Sequence, residues 1–89
     1  MTNKHRNQIE EFNIIEAIKS NSIERFHINR RKDGRYELLV FFTWTKEDVP
    51  FYLASQRRDS RTWVNLNNMI KHIEQNYFLP PSITLTFDE

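Results

Sequence analysis

The run Tyr36-Glu37-Leu38-Leu39-Val40-Phe41-Phe42-Thr43-Trp44 is apolar on both parities. Successive strand side chains point to opposite faces. Leu38, Val40 and Phe42 therefore load one face while Leu39 and Phe41 load the other. A strand of that composition is stable only at the centre of a sheet, with cover on each side. The rest of the chain has to supply its neighbours and its cover.

The flanking segments read as those neighbours. Ile23 to Arg31 alternates Phe26 and Ile28 with Arg25, His27 and Asn29 and predicts a first strand. Lys32-Asp33-Gly34-Arg35 holds the only glycine of the chain; Asp-Gly between alternating segments predicts a hairpin, because glycine takes positive φ without a steric cost. Thr45 to Asp48 reads as a turn, and Val49 to Gln56 as a third strand entered through Pro50. Arg57 to Arg61 reads as a second tight connection, followed by brief pairing of Thr62-Trp63-Val64.

Two helices complete the pattern. Ile9, Phe12, Ile15 and Ile18, with Ile14 beside them, predict a helix over Ile9 to Lys19. Asn65 is a good N-cap, with Val64 and Met69 spaced as a hydrophobic staple. Leu66, Met69, Ile70, Ile73 and Tyr77 form the apolar stripe of a helix ending near Asn76. Pro80-Pro81 stops it, and Ser82 to Phe87 alternates as a last strand. The expected fold class is α+β, a single small domain in the order α-β-β-β-α-β with an antiparallel sheet. Residues 1–8 form a flexible arm and residues 9–89 the domain. The Leu66–Tyr77 helix covers one sheet face, and the Ile9–Lys19 helix the other face or an edge.

Composition narrows the chemistry. The chain has no cysteine, so neither a disulfide nor a thiolate metal site supports it. His5, His27 and His72 are scattered, and no metal or cofactor is expected. One glycine leaves no phosphate-cradling loop. The pairs Glu10-Glu11, Glu47-Asp48 and Asp88-Glu89 are adjacent in sequence; neighbours point apart, which suits helix dipoles and solubility better than acid–base work. No apolar run approaches the roughly 18 residues of a membrane span, and the polar start lacks the profile of a secretion signal. The expectation is a cytoplasmic protein that is not an enzyme.

A net charge of +1 gives no whole-molecule attraction to polyanions, so any such attraction has to be local. Arg30, Arg31, Lys32 and Arg35 surround the first turn, and Arg57, Arg58 and Arg61 the second. In a sheet of the first three strands both turns lie at one end. They could contact phosphate, or they could be solvated turns that protect sheet edges. Phe41 or Tyr52, turned outward beside Arg57, would serve as a stacking platform for bases; a small core would use the same aromatics. The competing expectation is a protein-interaction or homodimerising module, using either Leu39 and Phe41 or the last strand with Ile83, Leu85 and Phe87.

Arg25 to Tyr77 resembles the small β-β-β-α DNA-binding modules of the AP2 and integrase arm-binding type. Its local echo is Arg61-Thr62-Trp63-Val64-Asn65-Leu66, leading into the helix. In those modules the sheet lies in the major groove and the helix backs it. Leu53 to Leu66 also resembles a segment of small uncharacterised proteins of bacterial plasmids and integrating elements. The α-β-β-β-α order is similar to that of double-stranded RNA-binding domains, although Asn65 to Ile70 carries no lysine for their basic helix start. The resemblance implies a nucleic-acid partner, DNA first, at the seven cations named above.

Overall fold

A computed structural model describes residues 7–45, 49–55 and 59–88. The chain runs β1 (Gln8–Ile9), α1 (Glu11–Lys19), β2 (Ile23–Arg30), β3 (Tyr36–Phe42), β4 (Phe51–Leu53), β5 (Thr62–Trp63), α2 (Leu66–Asn76) and β6 (Thr84–Phe87). The class is α+β, as the sequence predicts, with β1 added and β5 at the brief pairing expected of Thr62 to Val64; the sheet is mixed rather than antiparallel, because β1 runs parallel to β4 and β6 parallel to β2. The strands form one sheet in the order β1-β4-β3-β2-β6, and β5 also pairs with β3. Of the expected arm, residues 1–6 lie outside the described residues. Asn7 and Gln8 are held to β4, the Asn7 carbonyl accepting from Tyr52 N at 2.7 Å.

β3 sits in the middle of the sheet, as its composition requires. β2 runs antiparallel along one side, from Ile23↔Phe42 to Arg30↔Tyr36. The other side is shared. β4 pairs at Leu39↔Tyr52 and Val40↔Phe51, and β5 at Glu37↔Thr62 and Tyr36↔Trp63. Between them the chain leaves the sheet and returns, pinched where Arg61 N donates to the Leu53 carbonyl at 2.8 Å. The predicted third strand is thus interrupted; its Gln56, and the Lys46, Glu47 and Asp48 of the preceding turn, lie outside the described residues.

Both helices lie on one face, which corrects the expectation that α1 takes the opposite face or an edge. Ile14 and Ala17 of α1 share a core with Met69 and Ile73 of α2 and with Phe26, Ile28, Leu38, Val40 and Phe42. The cause is the topology. β1 and β2 are parallel through β4 and β3, and so are β5 and β6. Each helix therefore crosses between parallel strands, both crossovers step the same way along the sheet, and crossovers of one hand place both helices on one side.

The apolar stripe of α1 is also rotated from the predicted one. Ile14 and Ala17 are buried and Ile18 packs on the core, while Phe12 is 64% exposed and Ile15 points outward. The helix begins at Glu11, since β1 has already claimed Ile9. The Glu10 N–H donates to Asn13 Oδ1 at 2.9 Å and starts the helix. At its end Ser22 N donates to the Ala17 carbonyl and Asn21 N to the Ile18 carbonyl, with Asn21 at φ 57°; this is a Schellman stop with asparagine in the left-handed position. In α2, Asn65 Oδ1 caps Asn68 N at 3.1 Å. The expected staple fails, because Val64 stays 71% exposed.

The rotated stripe is testable. Ile14→Ala should lower stability by about 2–4 kcal/mol, by transfer loss plus a cavity, whereas Phe12→Ala should stay within about 0.5 kcal/mol. Urea unfolding measures both, and comparable losses would reject this phase for α1.

Candidate functional site

The helix-free face begins with the odd positions of β3. Glu37, Leu39 and Phe41 share it with His27 and Asn29 of β2, Tyr52 of β4, and Thr84 and Thr86 of β6. A bulge between Ile23 and Arg25 breaks the alternation of β2. Ile23 keeps to the core, and Arg25 swings onto this face. Its guanidinium lies 3.9 Å from the centre of the Phe41 ring. Phe41 and Leu39 are consequently buried, which corrects the expectation of an open apolar face at these two residues. Side chains of the same sheet layer provide the cover that the sequence led one to seek in a helix: Leu39 lies in register between His27 and Tyr52.

Glu37 is buried among these groups and accepts from Asn29 Nδ2 at 3.0 Å. The same amide nitrogen reaches Asp88 Oδ1 at 2.9 Å, and Thr86 Oγ1 donates to Asn29 Oδ1 at 2.9 Å. This polar row ties β6 to β2. His27 borders it with a buried Nδ1 that has no hydrogen-bond partner among the described residues. Burial, and then the nearby Arg25 charge, hold its pKa below the ordinary value of 6.5.

The basic turn closes this face at one end. Gly34 takes φ 85°, Gly34 N donates to the Arg31 carbonyl at 2.9 Å, and Arg31 N to the Arg35 carbonyl at 2.7 Å. Arg31 is spent on Asp33 at 3.1 Å. Arg30, Lys32 and Arg35 are exposed and carry no ion pair among the described residues. Arg30 is in register with Phe87 on one side and Tyr36 on the other, so only residues 31–35 project beyond the sheet. A free two-stranded ribbon does not exist here.

The second bend contributes less than the sequence led one to expect. Arg57 and Arg58 lie outside the described residues. Arg61 falls opposite Leu38 by register, about 10 Å along the strand from the level of Arg35. Its guanidinium lies 4.5 Å from the Trp63 ring centre, on the helix side. It is not part of the rim formed by the first turn.

Sequence reasoning missed a polar cluster between the helices. Tyr77 Oη donates to Glu11 Oε2 at 2.6 Å, and His72 Nε2 lies 2.6 Å from the same oxygen. Asn76 Nδ2 lies 3.2 Å from His72 Nδ1. An amide nitrogen only donates and a carboxylate only accepts, so the His72 proton sits on Nε2. Burial raises the Glu11 pKa, but the hydrogen bonds from Tyr77 and His72 outweigh it and the net shift is downward. Burial, the bond to Glu11 and the Glu11 charge drive Tyr77 far upward. Glu11 also lines an open groove of about 1050 Å³ with Glu10, Leu53, Ser55 and Arg61. Its carboxylate is already committed to two donors, so it braces α1 against α2. No local signal exposes this cluster, because Glu11 and Tyr77 are 66 residues apart.

Among the described residues no His, Asp or Glu group is arranged to hold a metal ion, and no helix is long and apolar enough to cross a membrane. Comparison with protein-family models, curated proteins and solved structures gave no match.

The His27 environment predicts a pH effect. Between its depressed folded value and 6.5 the unfolded chain binds a proton that the folded chain does not, so stability rises with pH there and falls as pH drops. Glu11 acts lower: the stability from its depressed pKa is present above about 4.5 and is lost as pH falls through the folded value. Urea midpoints from about pH 8 to about pH 5 should fall for the native chain and fall less for His27→Gln. Parallel curves would exclude His27 as the source.

Proposed function

We propose that this chain is a non-catalytic nucleic-acid-binding module that uses the helix-free sheet face and the basic turn at its end. One observation carries the reading: both helices occupy the other face. That leaves a sheet surface bearing Arg25, His27, Asn29 and Tyr52, which runs into the turn with exposed Lys32 and Arg35, while exposed Arg30 flanks the same turn from the helix-bearing side. A small module that docks a sheet on nucleic acid needs its helices behind the sheet, and this arrangement supplies that. The near-neutral net charge agrees with a compact contact rather than a long electrostatic footprint.

The contact differs from a ribbon laid into a groove, because β5 and β6 flank the hairpin almost to its turn. Arg30, Lys32 and Arg35 contact phosphate, and Arg31 preorganises the turn through Asp33. Arg57 and Arg58 remain candidate contacts on sequence grounds, and Arg61 supports the fold through Trp63. A plasmid or mobile-element setting in bacteria, and a cytoplasmic location, belong to the same proposal.

Each phosphate contact removed lowers the salt dependence of binding by roughly one unit. The triple variant Arg30→Ala, Lys32→Ala, Arg35→Ala should therefore reduce the slope of log K against log salt by about 2–3 units on duplex DNA. Fluorescence anisotropy with labelled duplex and single-stranded DNA measures it. An unchanged slope on both probes would remove these cations from the interface.

A further inference from the structure

β6 is the last strand of the sheet, and its outer edge pairs with no other strand among the described residues. Natural edge strands are normally blunted by charge, proline or a bulge, because open N–H and C=O groups recruit other strands. Thr84-Leu85-Thr86-Phe87 has no charge and no proline, and its pairing with β2 is regular. On the helix-bearing side Leu85 is 37% and Phe87 60% exposed. Phe78, 39% exposed, extends the patch, since its ring packs at a tilt against Phe26, with centroids 5.3 Å apart, level with Ile83 in the adjacent strand.

We propose that a second copy of this chain occupies this edge, joining the two sheets by antiparallel β6–β6 pairing about a two-fold axis at Leu85. The backbone sets the register. Asp88 N donates to the Arg30 carbonyl at 2.8 Å, so even-numbered residues turn their polar groups to β2, and Ile83, Leu85 and Phe87 turn theirs outward. An axis at Leu85 pairs Leu85 with Leu85 of the second copy, and Ile83 with Phe87 of the second copy. All of these are hydrogen-bonded positions. An axis at Thr86 would leave Ile83 without a place in the ladder and set Thr84 against a charged Asp88. The Leu85 axis brings no two charges into opposition, and it keeps both pairs of helices on the same side of the joined sheet.

The occupant follows from this self-complementarity. Leu85, Phe87 and Phe78 expose apolar area on the order of 300 Å² per copy, given about 200 Å² for each large side chain. Doubled, and with the strand backbone added, that approaches the lower bound of specific interfaces at about 1,000 Å². The dimer is therefore weak and concentration-dependent. Antiparallel pairing sends the two basic turns to opposite ends of the joined sheet, so dimerisation and phosphate contact are separable.

Sedimentation velocity of the full chain from about 5 to about 500 μM should show the dimer fraction growing. Phe87→Glu should abolish it while leaving the far-ultraviolet circular dichroism unchanged. The absence of native cysteine permits a register test. Opposed hydrogen-bonded residues lie about 5.5 Å apart, within disulfide range. Leu85→Cys should thus cross-link to itself under mild oxidation at least tenfold faster than Thr84→Cys. A monomer at every concentration, or a dimer that survives Phe87→Glu without Leu85→Cys cross-linking, would overturn the proposal.

Discussion

The whole molecule is organised by the need to bury β3 on both faces. The two faces meet that need by different physics. On the even side Leu38, Val40 and Phe42 receive two helices and form the core, where large contiguous apolar area supplies most of the stabilisation. On the odd side Leu39 and Phe41 are covered within the sheet layer itself, and the Arg25 guanidinium lies over the Phe41 ring. A long cationic side chain can shield apolar surface with its stem while its head stays hydrated. The face thereby remains polar at its surface although its base is apolar.

That solution depends on one irregularity. Without the bulge between Ile23 and Arg25, strict alternation would put both residues on the same face. Either Ile23 would leave the core or Arg25 would enter it. The extra residue lets each go where its chemistry belongs. The polar row of Asn29, Glu37, Thr86 and Asp88 continues the same layer toward β6. It gives the last strand a directional attachment, which its four exposed residues would otherwise lack. Glu11 does comparable work at the other end of the domain, where one carboxylate accepts from Tyr77 and His72 and ties the start of α1 to the end of α2.

These arrangements change how the charged residues should be weighed. Seven cations at two bends suggest a continuous basic rim. Two of the five described are committed internally, Arg31 to Asp33 and Arg61 to the Trp63 ring. What remains outward is a short cluster at a single rigid turn. Its neighbour across β2 is an uncharged, apolar edge. Each surface makes a limited contact, and their proximity on adjacent strands sets the geometry in which they would act together.

Local chemistry alone determined the elements whose causes lie within a few residues. The double-faced β3, the turn at Gly34, the Asn65 cap and the α2 stripe of Met69, Ile70 and Ile73 were legible, because alternation, positive φ and helical spacing are short-range signals. Tertiary structure decided the rest. The side on which α1 lies depends on β1, a strand of two residues that carries no pattern of its own, and on β5, which together turn both helices into crossovers of one hand. The stripe of α1 depends on β1 removing Ile9 from the helix. The pairing of Glu11 with Tyr77 depends on those crossovers being complete. Sequence specifies which side chains want cover; only the closed sheet decides which neighbour provides it.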